Sequence, residues 1–277
     1  MTGMGVVEGE PAEPDSSDTQ VLAGSVVVAD SAKLEGIANL EGIANLEGAS
    51  ASEGAANLES ATGKVDAYGH RPLWRGWLHA AAFLAVIPAG LYLLSLAQTT
   101  AARVAVLVYW ASLAGLYATS ASYHRLARSA TSVLWFRRAD HSMIYVLIAG
   151  TYTPICLLIL PKIWGIPMLV LIWTAALAGI TMKMIRLGLD NGPSGSWLYI
   201  VMGWAAVLTL PVLVMNLSWV QLLLLAAGGL LYTLGAVVLG KHRPDPSPDK
   251  FGYHEVWHSM TIAAGSCHFA LIATMLA

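Results

Sequence analysis

His254 and His258 lie four residues apart near the end of the chain, so on a helix both imidazoles share one face about a turn apart. A tetrahedral metal ion can grip such a pair. With Glu255 between them they read His254-Glu255-Val256-Trp257-His258, the H-E-x-x-H pattern in which two histidines hold zinc and the glutamate is general base. Intramembrane proteases built on this pattern take their third ligand from a later helix, yet only 19 residues follow His258. The third nitrogen must come from upstream, which favours His124 and weakens the protease reading. Three histidines leave one position open for water, as catalytic zinc sites do. Ser120, one helical turn before His124, and Asp140 can then orient that water or a substrate carbonyl from outside the ligand set. Asp140 also has a plainer reading as the N-cap of a helix, and a lone serine commonly hydrogen-bonds within its own membrane helix.

The elements that must position these residues follow from composition. Of 277 residues, 56% are apolar and 12% charged, against about 25% charged in soluble domains. The charge is also segregated. Twelve of the 17 acidic residues fall within residues 1–66, whereas from Ala67 onward 13 Lys/Arg face 5 Asp/Glu, a net of +8. Those positives cluster between apolar runs of about 20 residues, the length that crosses a ~30 Å hydrocarbon core. Seven runs are expected to span as helices: 78–98, 103–124, 140–160, 164–184, 196–215, 219–239 and 254–276. No period-2 alternation supports a barrel, so the fold class is an all-α integral membrane protein.

Eleven positives (Arg71, Arg75, Arg125, Arg128, Arg137, Arg138, Lys183, Arg186, Lys241, Arg243 and Lys250) share one side, and Arg103 and Lys162 share the other. The positive-inside rule therefore puts the N-terminus in the cytoplasm and the C-terminus outside. His124, Asp140, His254, Glu255 and His258 all then reach the cytoplasmic leaflet. An ionisable group there costs roughly 2.5–3.5 kcal/mol on insertion scales and needs a partner or a role. His268 sits on nearly the same face as His254 but about 21 Å deeper, too far to share an ion; it lines a cavity or bonds a neighbouring helix. No role is assigned to His70, His79, His141 or His242. Cys156 and Cys267 fall inside apolar runs and give no disulfide framework.

Residues 1–67 form an acidic tail without a signal-peptide layout, in which LEGIAN, LEGIAN, LEG makes a decaying six-residue repeat. Rich in Glu, Gly, Ala and Ser and poor in aromatics, the tail is expected to be disordered and takes no part in catalysis. Residues 68–277 are expected to form the membrane domain.

Three stretches of that domain are distinctive: Ser120-Ala121-Ser122-Tyr123-His124; Arg138-Ala139-Asp140-His141-Ser142, leading to Ile148-Ala149-Gly150-Thr151-Tyr152-Thr153-Pro154; and Phe251-Gly252-Tyr253-His254-Glu255-Val256-Trp257-His258, with the later His268-Phe269. In this order they resemble the hemolysin III branch of the adiponectin and progestin receptor family (PAQR). The resemblance implies seven helices, a cytoplasmic N-terminus and a zinc ion near the cytoplasmic leaflet held by His124, His254 and His258, with Asp140 and Ser120 at the positions of the family's aspartate and serine. It gives Glu255 no essential part. It also implies a multi-pass protein of the plasma membrane whose partners are membrane lipids and a lipid substrate or ligand; nucleic acid is not expected. Family members are described as pore-forming hemolysins and as receptors, and the wider superfamily includes zinc-dependent ceramidases. A three-histidine zinc site suits lipid amide hydrolysis. A pore needs a polar stripe through the whole bundle, yet beyond the cytoplasmic leaflet there are only scattered Ser and Thr, Asn216 and His268. A receptor with structural zinc would use the same residues.

Overall fold

The computed structural model describes residues 67–186 and 196–277. The acidic tail with its repeat, expected to be disordered, lies outside the described residues, as does the loop acid Asp190. The elements are α1 (Trp77–Leu96), α2 (Thr100–Leu126), α3 (Ala130–Leu158), α4 (Lys162–Arg186), α5 (Ser196–Trp204), a 3-10 turn (Ala205–Thr209), α6 (Leu210–Asn216), α7 (Trp219–Lys241) and α8 (Tyr253–Leu276). With α5, the turn and α6 counted as one, there are seven spans among the described residues long and apolar enough to cross a bilayer. No β-strand occurs among the described residues. Each expected span is present with its ends within a few residues, except the third.

That third span begins ten residues earlier than the sequence suggested. Its N-cap is Ser129, whose side chain accepts from Ser132 N in a capping box. Asp140 is therefore not a cap but lies three turns inside α3, and the plain reading of it is corrected. The cause is local: Ser129 and Ser132 satisfy the free N–H groups of the first turn. At 29 residues α3 is about 44 Å long, enough to carry Arg137 and Arg138 on helix beyond the hydrocarbon.

The short connections 97–99, 127–129 and 159–161 make α1 to α4 sequential neighbours, and α8 packs against both α7 and α1. That closure brings the start of α8 to the end of α2. Leu271 and Ile272 of α8 join the two apolar clusters, one built on α3, α4 and α6 and the other on α1 and α2. Lipid is as apolar as leucine, so packing rather than water exclusion holds such helices together. Small residues at the crossings matter accordingly: a Cβ on Gly150 would fall on the Ser112 hydroxyl of α2. The fifth span breaks just before Pro211, and Tyr152 repairs the break. Its hydroxyl donates to Gly203 O at 3.0 Å and accepts from Ala206 N at 2.7 Å, meeting backbone groups that lipid cannot.

Candidate metal centre

His124 is buried in the last turn of α2, and His254 and His258 occupy the first two turns of α8. The three rings converge, with one ligating nitrogen from each within 4.8 Å of the others. Nε2 of His124 and Nε2 of His254 are 3.2 Å apart. Two nitrogens on a tetrahedral zinc with bonds of 2.0–2.1 Å lie about 3.4 Å apart. Nδ1 of His258 is buried with no partner among the described residues. A near-ideal nitrogen edge, a third imidazole beside it and an unsatisfied buried nitrogen fit a metal ion, and the all-imidazole donor set suits zinc among others.

Ser120 is buried one turn before His124 and is hydrogen-bonded to Asp140 of α3. The two residues expected outside the ligand set are thus joined to each other next to a ligand. Glu255, in contrast, faces away from any general-base duty. It is 0% exposed; one carboxylate oxygen accepts from Arg75 Nε at 2.5 Å and the other from Gly252 N at 2.9 Å. The carboxylate is occupied in capping α8 and holding Arg75. His268 is buried further along α8 against Gly228 of α7 and the Tyr232 ring.

Two features were not legible beforehand. His79, in the first turn of α1, is buried and stacks on His258 with ring centroids 3.9 Å apart and planes 20° off parallel. Neither of its ring nitrogens has a hydrogen-bond partner among the described residues. Its position at the same end of a span as the other three was the available signal. The second feature is the strap of residues 67–76. Arg71 donates to Arg125 O at 3.2 Å and to Ala127 O, and Leu73 N and Trp74 N bond Asp249 O and Lys250 O at 3.0 and 3.1 Å. These bonds lay the strap across the bundle end, where the Tyr68 hydroxyl meets Nδ1 of His124. Burial holds the Tyr68 pKa above the usual 10.0, so it is a neutral phenol. Gly76 turns the strap into α1 at φ +81, and a Cβ there would come within 2.7 Å of His124 Cβ. Only glycine satisfies both demands.

Fold and site together define a multi-pass helical membrane protein with a histidine cluster, able to hold a metal ion, at one end of the bundle. Residues 67–269 match the model of the family described as haemolysin-III related, and the chain belongs to that family. It is 32% identical over 195 residues to the hemolysin-3 homolog of Bacillus subtilis, covering 69% of this chain and 87% of that protein. It is 36% identical over 172 residues to hemolysin-3 of Bacillus cereus, covering 62% and 74%.

Proposed function

We propose that this protein sits in the plasma membrane with its N-terminus in the cytoplasm, holds zinc at His124, His254 and His258, and hydrolyses a lipid amide of ceramide-like type. The observation that carries this reading is the meeting of three imidazole nitrogens beside a hydrogen-bonded Ser120–Asp140 pair. Zinc bound there supplies Lewis-acid chemistry, polarising an amide carbonyl and acidifying water. Asp140 accepts the proton of the attacking water on a carboxylate oxygen. The Ser120 hydroxyl donates to that carboxylate and keeps it oriented. Burial of the cluster excludes bulk water, which strengthens each of these interactions.

A second reading, a membrane pore, draws on the names of the two hemolysin-3 relatives. Among the described residues the buried polar groups away from the histidine cluster are His268, Lys183 near the end of α4, and single Ser and Thr side chains, which favours hydrolysis over a pore. Purified protein incubated with ceramide-like substrates decides between them. Release of fatty acid that stops on chelation and returns with zinc supports the hydrolase. Dye leakage from liposomes without fatty acid release supports the pore.

A further inference from the structure

The Tyr68 contact reaches further than closing the bundle end. A neutral imidazole has one N–H and one lone pair, so whatever meets Nδ1 decides what Nε2 offers. In His124, Nε2 points inward to His254 at 3.2 Å, and Nδ1 points outward to the Tyr68 oxygen. Arg75 is hydrogen-bonded to the same phenol, and as a guanidinium it can only donate. The direction of the Tyr68–His124 bond follows from the ion: a neutral ring that turns its Nε2 lone pair to a metal carries its proton on Nδ1 and donates it to the phenol oxygen. Arg75 is held in turn by Glu255, which sits between the two ligand histidines of α8. The line Glu255, Arg75, Tyr68, His124 thus starts and ends at the cluster. His124 faces the cluster through one ring nitrogen and is held by a polar group of the strap through the other.

We propose that Tyr68 is a positioning residue for the metal centre: its phenol oxygen accepts the Nδ1–H of His124 and so presents the Nε2 lone pair of that ring to the ion. This rests on the metal reading above. The phenol comes from a strap outside the membrane spans, 56 residues from His124 in sequence, so the affinity of an intramembrane site is set partly from the aqueous side. Outer partners of ligating histidines typically contribute 10- to 100-fold in metal affinity.

The test is Tyr68→Phe in the full chain, purified in detergent. Phenylalanine keeps the ring on Tyr123 and His124, at centroid distances of 5.1 and 5.9 Å in the wild type, and removes only the oxygen. Zinc affinity, measured by competition with a chelator, should fall about 10- to 100-fold. The metal-stripped variant also loses the phenol's bond to Arg75, so its unfolding midpoint should fall, but by less than that of the zinc-loaded protein. The 15N shifts of His124 in the metal-stripped protein should show Nδ1 protonated in the wild type and a mixture of tautomers in the variant. Affinity within twofold of the wild type would overturn the proposal. So would 15N shifts of His124 that are the same in the metal-stripped variant and the metal-stripped wild type, since the phenol would then serve the fold and not the ring. If the wild type binds no zinc, the metal reading fails and this inference with it, whereas tight zinc binding by both proteins overturns the inference alone.

Discussion

Replacing Glu255 by Gln separates a catalytic glutamate from a structural one. The side chain is 0% exposed and its partner Arg75 is 14% exposed. Glutamine keeps an oxygen for Gly252 N but leaves the Arg75 guanidinium without its counter-charge. Removing one partner of a buried ion pair costs about 3–5 kcal/mol. The lower end, about 3 kcal/mol, is expected here because Tyr68 still bonds Arg75 and the guanidinium reaches some solvent. Reversible unfolding in mixed micelles measures the loss, and a double-mutant cycle with Arg75→Gln isolates the pair, with a coupling of about 0.5–3 kcal/mol. Zinc content should persist because the three ligands are untouched, and any amide hydrolysis should persist in the fraction that remains folded. Wild-type stability together with abolished hydrolysis would refute the reasoning and restore Glu255 as the general base of an H-E-x-x-H site.

Other substitutions probe the remaining parts. Asp140→Asn should keep zinc and lower amide hydrolysis at least about tenfold, the low side of a general-base contribution; unchanged fatty acid release with zinc bound would reduce Asp140 to a partner of Ser120. Gly76→Ala should destabilise the protein by about 1–2 kcal/mol from the left-handed backbone alone, with a further loss from the clash with His124, read as a lower unfolding midpoint. His79→Phe should retain zinc because a flat ring still supports His258, whereas His79→Ala should weaken binding measured by chelator competition. A reporter fused after Ala277 that works only in the cytoplasm should be silent; a working one would reverse the proposed orientation.

The seven spans were legible because length and apolarity are local properties, and the histidine triad because i, i+4 spacing and a shared membrane level can be counted along the chain. The first ten residues of α3 were not, since Arg137 and Arg138 make that stretch look like a loop while the capping pair Ser129 and Ser132 makes it helix. The same oversight turned Asp140 into a possible cap. The break in the fifth span had one local signal, Pro211, which the structure places in the first turn of α6. Tyr68 and the Arg75–Glu255 pair had none. Their partners lie 56 and 180 residues away, and only the closure of α8 onto α1 brings them together. His79 was set aside because an interfacial histidine is ordinary until a neighbour is known, and that neighbour, His258, comes from the far end of the chain.

The central claim is that His124, His254 and His258 hold zinc, and the most direct measurement is elemental analysis of the detergent-purified full chain beside its His258→Ala variant. The account predicts one zinc per wild-type chain and none above background in the variant. Wild-type protein without zinc, or equal zinc in both, would contradict it.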